Sequence, residues 1–297
     1  MTQTNRKLAQ KIAILGIEYD IGGAKHGSSE APNALRNIGL IKSICHKGYS
    51  VEDFGNLKLL SNHPRKMSNK ELFLDITLKS YNKIDYVLKN NYFPIVLGGD
   101  HSIAIGTAKA LLNNYPDLGI IWIDAHADIN TEESSLTGRY HGMPLASILG
   151  LTSYFDFKEN NNLLKKNNLV YIGLRDLDPF EEKVLNELSI KSFYMKDIQM
   201  HGIQNIMQQA ILYLKNTSHL HISFDVDSID PLVAPATNTP VKNGLSLPEV
   251  EKIFYNLNKQ NNISSLEIVE YNPLLDDDNA TAKIIINLIN ILFDDVN

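Results

Sequence analysis

The segment Asp124-Ala125-His126-Ala127-Asp128 sets three potential metal ligands at alternate positions, directly after the apolar run Gly-Ile-Ile-Trp-Ile. In extended chain alternate side chains share a face, so Asp124, His126 and Asp128 are expected to point the same way, roughly 6.6 Å apart. Such a ladder can ligate two cations held roughly 3.5–4 Å apart, as two-metal hydrolases require. A second segment, Ser223-Phe224-Asp225-Val226-Asp227-Ser228-Ile229-Asp230-Pro231, repeats the pattern with Asp225 and Asp227. Two carboxylates so close repel unless one is protonated or a cation neutralises them, and a divalent metal is the simplest resolution. Asp230, before a proline, reads as a turn residue.

The third segment is Gly98-Gly99-Asp100-His101-Ser102. Its glycines permit a tight strand-to-helix turn that puts His101 at a helix start. Asp100 is expected to hold the imidazole tautomer from behind. A lone histidine at such a turn is more often structural than a ligand, so His101 gains its weight from the other two segments. The pooled set mixes carboxylate and imidazole without thiolate, which suits Mn²⁺ ahead of Zn²⁺, Co²⁺ or Fe²⁺.

Something must bring these segments together. Apolar runs at Lys11–Ile17, Phe93–Leu97, Gly119–Ile123, Leu169–Leu174, Leu220–Phe224 and Ser264–Val269 read as strands covered on both faces. Helical patterns lie between them, over Pro32–Lys47, Lys70–Asn90, Ile103–Asn113, Phe180–Leu188, Ile203–Leu214, Leu247–Leu257 and Ala280–Phe293. The alternation predicts an α/β fold with a doubly wound parallel sheet between helical layers. No repeat or linker interrupts it, so residues 1–297 read as a single domain. The acidic and histidine clusters all follow strands, and ligands of open α/β sheets bind at the carboxyl ends of strands, so one rim should gather them. The longest polar irregular stretch is Asn130–Gly142, and long loops on such sheets tend to carry function.

With 43% apolar and 21% charged residues the composition is that of a soluble protein with a large core, and a net charge of −6 argues against a nucleic-acid surface. Cys45 is the only cysteine, so no intrachain disulfide can form, and it is expected to be a small buried hydrophobe. No signal-like or membrane-spanning apolar run is present; the expected compartment is the cytoplasm, with no membrane partner.

The three motifs, in this order and spacing, resemble the ureohydrolase family and specifically its arginases, over nearly the whole chain. The resemblance implies a three-layer α/β/α fold around an eight-stranded, mostly parallel sheet with two Mn²⁺ at the strand ends. By resemblance His101, Asp124, Asp128 and Asp225 hold one manganese, and His126, Asp124, Asp225 and Asp227 the other. It further implies a homo-oligomer, a trimer or hexamer.

A guanidinium is resonance-stabilised and always protonated, so attack on its carbon needs a strong nucleophile, such as a water shared and deprotonated by two cations. By resemblance Asp128 takes part in its proton transfer, Glu270 in Glu267-Ile268-Val269-Glu270-Tyr271-Asn272-Pro273 binds the guanidinium, and His141 in Tyr140-His141-Gly142 protonates the leaving amine. Thr239 matches a threonine that orients substrate. Asp178 and Glu181 match residues near the α-ammonium of arginine, although helix-start capping would also favour acids there. Asn130 and Thr137 match the loop that meets the α-carboxylate. Arg139 departs from the family's usual asparagine, and Asn238 from a common glycine. L-Arginine, which has both an α-ammonium and a carboxylate, uses Asp178 and Arg139 together. The expected reaction is its hydrolysis to urea and L-ornithine. A different guanidino acid such as guanidinobutyrate, or agmatine, is the sister alternative, and a non-catalytic metal- or arginine-binding regulator or a zinc deacetylase on a related sheet are alternatives from other classes.

Overall fold

The computed structural model describes residues 11–59, 67–153 and 162–295. Its centre is an eight-stranded sheet of β1 (Lys11–Glu18), β2 (Ser50–Lys58), β3 (Tyr92–Leu97), β4 (Gly119–Ile123), β5 (Leu169–Leu174), β6 (Lys191–Tyr194), β7 (Leu220–Asp225) and β8 (Ile263–Val269). The strand order is β2-β1-β3-β8-β7-β4-β5-β6, and every neighbouring pair is parallel. The helices are α1 (Ala31–Ile38), α2 (Leu40–His46), α3 (Asn69–Lys89), α4 (Ala104–Asn114), α5 (Pro144–Ile148), α6 (Pro179–Leu188), α7 (Met195–His201), α8 (Ile203–Tyr213), α9 (Leu247–Asn258) and α10 (Ala280–Leu292).

Strand alternation divides the core in two. Ile12, Ile95, Ile121 and Ile222 face one layer with α1, α2 and α7–α10, whereas Leu15, Val96, Ile120 and Tyr171 face the other with α3–α6. The result is the three-layer α/β/α architecture expected. Two strands escaped the sequence reading, β2 and β6. Both are sheet edges, and β2 is largely solvent-facing along Ser-Val-Glu-Asp-Phe-Gly-Asn-Leu-Lys, so neither shows an apolar run. The expected helix Pro32–Lys47 is two, because Gly39 caps α1 with a left-handed φ of 104°. Cys45 is exposed rather than buried, on the outer face of α2. Among the described residues no helix is long and apolar enough to cross a membrane.

Candidate active site

Four adjacent strands, β3, β8, β7 and β4, deliver the site from their carboxyl ends. After β3 the chain turns at Gly99, where a Cβ would lie 1.6 Å from the Tyr19 carbonyl oxygen; that oxygen accepts the Asp100 N–H at 3.0 Å. Only glycine fits so close an approach. The turn leaves His101 fully buried, with Nδ1 3.0 Å from Asp124 Oδ2, 3.0 Å from Asp128 Oδ2 and 3.1 Å from Asp225 Oδ2.

A second imidazole stands beside it. His126 Nδ1 is 3.1 Å from Asp227 Oδ2 and 3.5 Å from Asp124 Oδ1, and Thr239 Oγ1 donates to Asp227 Oδ2 at 3.0 Å. The groups His101–Asp124–Asp128 and Asp124–His126–Asp227 each bring their ligand atoms within 4.8 Å of one another and share Asp124. Sequence-expected ligands from three strands therefore meet in one place.

They meet by turns, not by a pleated ladder. β4 ends at Ile123, the Asp124 carboxylate accepts the His126 N–H at 2.7 Å, and Asp128 takes a positive φ of 50°. Asp225 does the same, accepting the Asp227 N–H at 2.7 Å at the head of a 3₁₀ turn. An aspartate that bonds the backbone two residues on folds its own loop back over the strand end.

Asp100 does not hold the His101 ring. It caps the local turn through the Ser102 N–H at 3.0 Å and the Ser102 hydroxyl. The ring is held instead by Ser223 Oγ at 2.9 Å from Nε2, with Ser223 in turn donating to buried Glu267 at 3.3 Å. Trp122 stacks on the ring at 4.0 Å and 6°, and donates its indole N–H to Asp124 Oδ2 at 2.9 Å. Neither Trp122 nor Ser223 was singled out in the sequence, yet each precedes its aspartate by two residues on the same strand face.

The donor set fits a divalent cation pair. Among the described residues buried His101 Nδ1 has no hydrogen-bond partner although three carboxylate oxygens surround it, an arrangement that leaves a nitrogen aimed at a shared centre. Burial and the charge of Asp124 push the Asp128 carboxyl up to about 6, and burial with Asp227 and Asp124 drives Asp225 well above the carboxylate range. Burial disfavours charge on both imidazoles, yet the surrounding carboxylates raise His101 and His126 well above the ordinary histidine range. Positive charge among the carboxylates relieves this crowding.

On the adjoining side Glu270, with a positive φ of 61°, closes β8. Its Oε1 accepts the His101 backbone N–H at 3.0 Å and faces His141 Nδ1 at 3.2 Å, while buried Oε2 has no partner among the described residues. Burial disfavours the His141 cation, but Glu270 outweighs it and lifts the imidazole to about 9.

The remaining expected residues fall into separate groups. Asn130 Nδ2 donates to Asp178 Oδ2 at 2.9 Å, which brings two expected substrate contacts together. Glu181 is buried and occupied as a helix cap, accepting the Ile129 N–H at 3.2 Å and the Asp178 N–H at 2.9 Å; burial raises it to about 7. Thr137 and Arg139 are exposed at the loop tip, where the Arg139 N–H donates to Thr137 Oγ1 at 3.3 Å. Asn238 donates to the Lys25 carbonyl at 3.1 Å and accepts from Asn272 at 2.7 Å, fastening the loop after β1 to the loop after β8.

A parallel α/β/α sheet with two adjoining seats for cations, a shared carboxylate and an unpaired buried glutamate oxygen defines a metal-dependent hydrolase of the binuclear kind. The sequence profile of the arginase family matches residues 10–293, and the chain belongs to that family. It is 37% identical over 291 residues to the arginase of Staphylococcus aureus strain MRSA252, covering 95% of this chain and 96% of that protein. It is also 37% identical to the arginase of Bacillus caldovelox, covering 95% and 97%. The crystal structure of arginase from Bacillus cereus superposes with a TM-score of 0.91 at 38% identity, covering 97% of this chain and 99% of that one.

Proposed function

We propose that the protein hydrolyses the guanidinium group of L-arginine to urea and L-ornithine, with two Mn²⁺ per chain. His101, Asp124, Asp128 and Asp225 would hold one cation, and His126, Asp124, Asp225 and Asp227 the other. The single observation that carries this reading is buried Glu270 Oε2, an unpartnered acceptor tied through Oε1 to the metal-facing histidine. A cationic, planar donor group is what such an oxygen would receive.

When bound, the cation pair supplies the charge that brings the pKa of water towards neutrality. The chain's own residues do the rest. Glu270 holds the guanidinium and fixes its carbon. Asp128, on a strained backbone at the rim of the cluster, receives the nucleophile's proton. His141 carries a proton at Nδ1 against Glu270 and supplies the departing ornithine amine. Thr239 steadies Asp227. Asp178 meets the α-ammonium, held by Asn130, while Glu181 acts through Asp178 rather than on substrate. Asn130, Thr137 and Arg139 face the α-carboxylate, for which the Arg139 fork offers two donors.

Urea release from arginine, agmatine, guanidinobutyrate and guanidinopropionate with added Mn²⁺ tests the reading. Arginine is expected to dominate; equal turnover across the panel refutes it. Arg139→Asn exchanges a charge-assisted contact for a neutral one and is expected to raise KM for arginine about five- to tenfold. The same reading includes one catalytic domain over residues 1–297, a homo-oligomer (trimer or hexamer) and a cytoplasmic location. Light scattering on the eluting protein tests the assembly.

A further inference from the structure

The two halves of the metal cluster rest on different supports. His101 is backed by Ser223 and Trp122. Behind the other half stands Arg175, just past β5, a residue with no part in the chemistry above.

Every N–H of its guanidinium finds a backbone carbonyl. Nε donates to Lys242 at 3.2 Å, and Nη1 to Gly173 and Ser228, both at 3.2 Å. Nη2 donates to Asp227 at 2.6 Å and Val241 at 2.9 Å. Five donors thus join the end of β5, the turn that carries Asp225 and Asp227, and the loop that follows Thr239. The main chain adds two more ties: the Arg175 and Asp176 N–H groups both donate to the Ala125 carbonyl, at 2.9 and 3.1 Å, between Asp124 and His126. The Asp176 carboxylate lies 3.8 Å from His126 Nε2.

We propose that Arg175 is a positioning residue for the His126–Asp227 half of the cluster, fixing the turn and the loop from which that half is built. The proposal rests on the two-metal reading above. Its physical basis is geometric: a planar fork with five fixed donors can span three segments, and carbonyl partners leave its charge directed at the neighbouring aspartates. A lysine ammonium, a point charge with three donors, cannot reach all five carbonyls. None of the Arg175 bonds reaches His101, Ser223 or Trp122, and Asp225 is held independently as the last residue of β7, paired with Val269 of β8, so the loss of Arg175 falls unevenly on the two cations.

The test is Mn²⁺ binding to Arg175→Lys by equilibrium dialysis with metal analysis, alongside emission of Trp122, the only tryptophan in the chain, which stacks on His101. The wild type is expected to hold two Mn²⁺ per chain. The variant is expected to keep one at native affinity and bind the second about 10–100-fold more weakly, as loss of an outer support does at metal sites. Its Trp122 response should stay at the wild-type Mn²⁺ concentration. Two native-affinity sites in the variant, or equal weakening of both, would overturn the proposal. A wild type holding fewer than two metals would instead overturn the two-metal reading. If the lysine variant lacks a native circular dichroism spectrum, Arg175→Gln is measured in the same way. Failure of both variants to fold without metal would assign Arg175 to the fold alone and end the proposal.

Discussion

The pairing of His141 with Glu270 gives a quantity that can be measured without turnover. The structure lifts the His141 imidazole from 6.5 to about 9, against the opposing effect of burial, through its contact with Glu270 at 3.2 Å. A rise of that size corresponds to roughly 3 kcal/mol of preference for the imidazolium, at 1.36 kcal/mol per pKa unit. Glu270→Gln removes the largest of the effects that raise it and leaves the burial and the charges of Asp128 and Asp100, so the midpoint is expected to fall well below about 9. The assay is an NMR titration of the histidine ring signals in metal-free protein, with the His141 resonance identified by its loss in His141→Asn. The stability sign follows. A raised imidazole pKa stabilises the folded state fully below about 6.5 and loses that contribution as pH climbs through about 9. The thermal advantage of wild type over Glu270→Gln should therefore shrink across that window. An unchanged His141 midpoint in the variant would refute the reasoning.

Asp128→Ala and His141→Ala should both lower kcat in a urea-release assay. His141→Ala is expected to cost about 10²–10⁴-fold, the usual range for a general acid, and Asp128→Ala more; near-normal turnover of Asp128→Ala would contradict its assignment to the metal. Trp122→Phe removes the indole bond to Asp124, a hydrogen bond to a charged group of about 1.5–3 kcal/mol, and should lower the Tm of the metal-free protein. Phe224→Ala empties a fully buried position packed edge-on to Phe254 at 5.2 Å and should cost about 3–5 kcal/mol in chemical denaturation.

The central strands were legible because both of their faces are covered and the apolar run is unbroken, as in Gly119–Ile123. Edge strands such as Ser50–Lys58 carry no such run, since one side meets water. The histidines and aspartates of the cluster could be named from type and spacing, but a pleated ladder does not account for their convergence. Asp124 and Asp225 do not line up along a pleat; each bonds the N–H two residues on and bends the chain there. The supports differ in how visible they are. Ser223 and Trp122 sit two residues before an aspartate, a position that strand periodicity marks. Arg175 binds only carbonyl groups, which every residue has, so no sequence pattern identifies its partners.

The place of β8 in the sheet has a consequence for how the molecule is made. The last strand of the chain lies between β3 and β7, in the middle of the row that bears His101, Asp225 and Glu270. Until a ribosome has released those final residues, the two halves of the sheet have no seam along which to join, and the imidazole behind Gly99 has no glutamate to anchor its backbone. Closure over so long a separation is slow. A chain cut short before Ile263 would lack more than one strand of eight: it would be two unjoined half-sheets, with His101 following one and Asp225 ending a strand of the other.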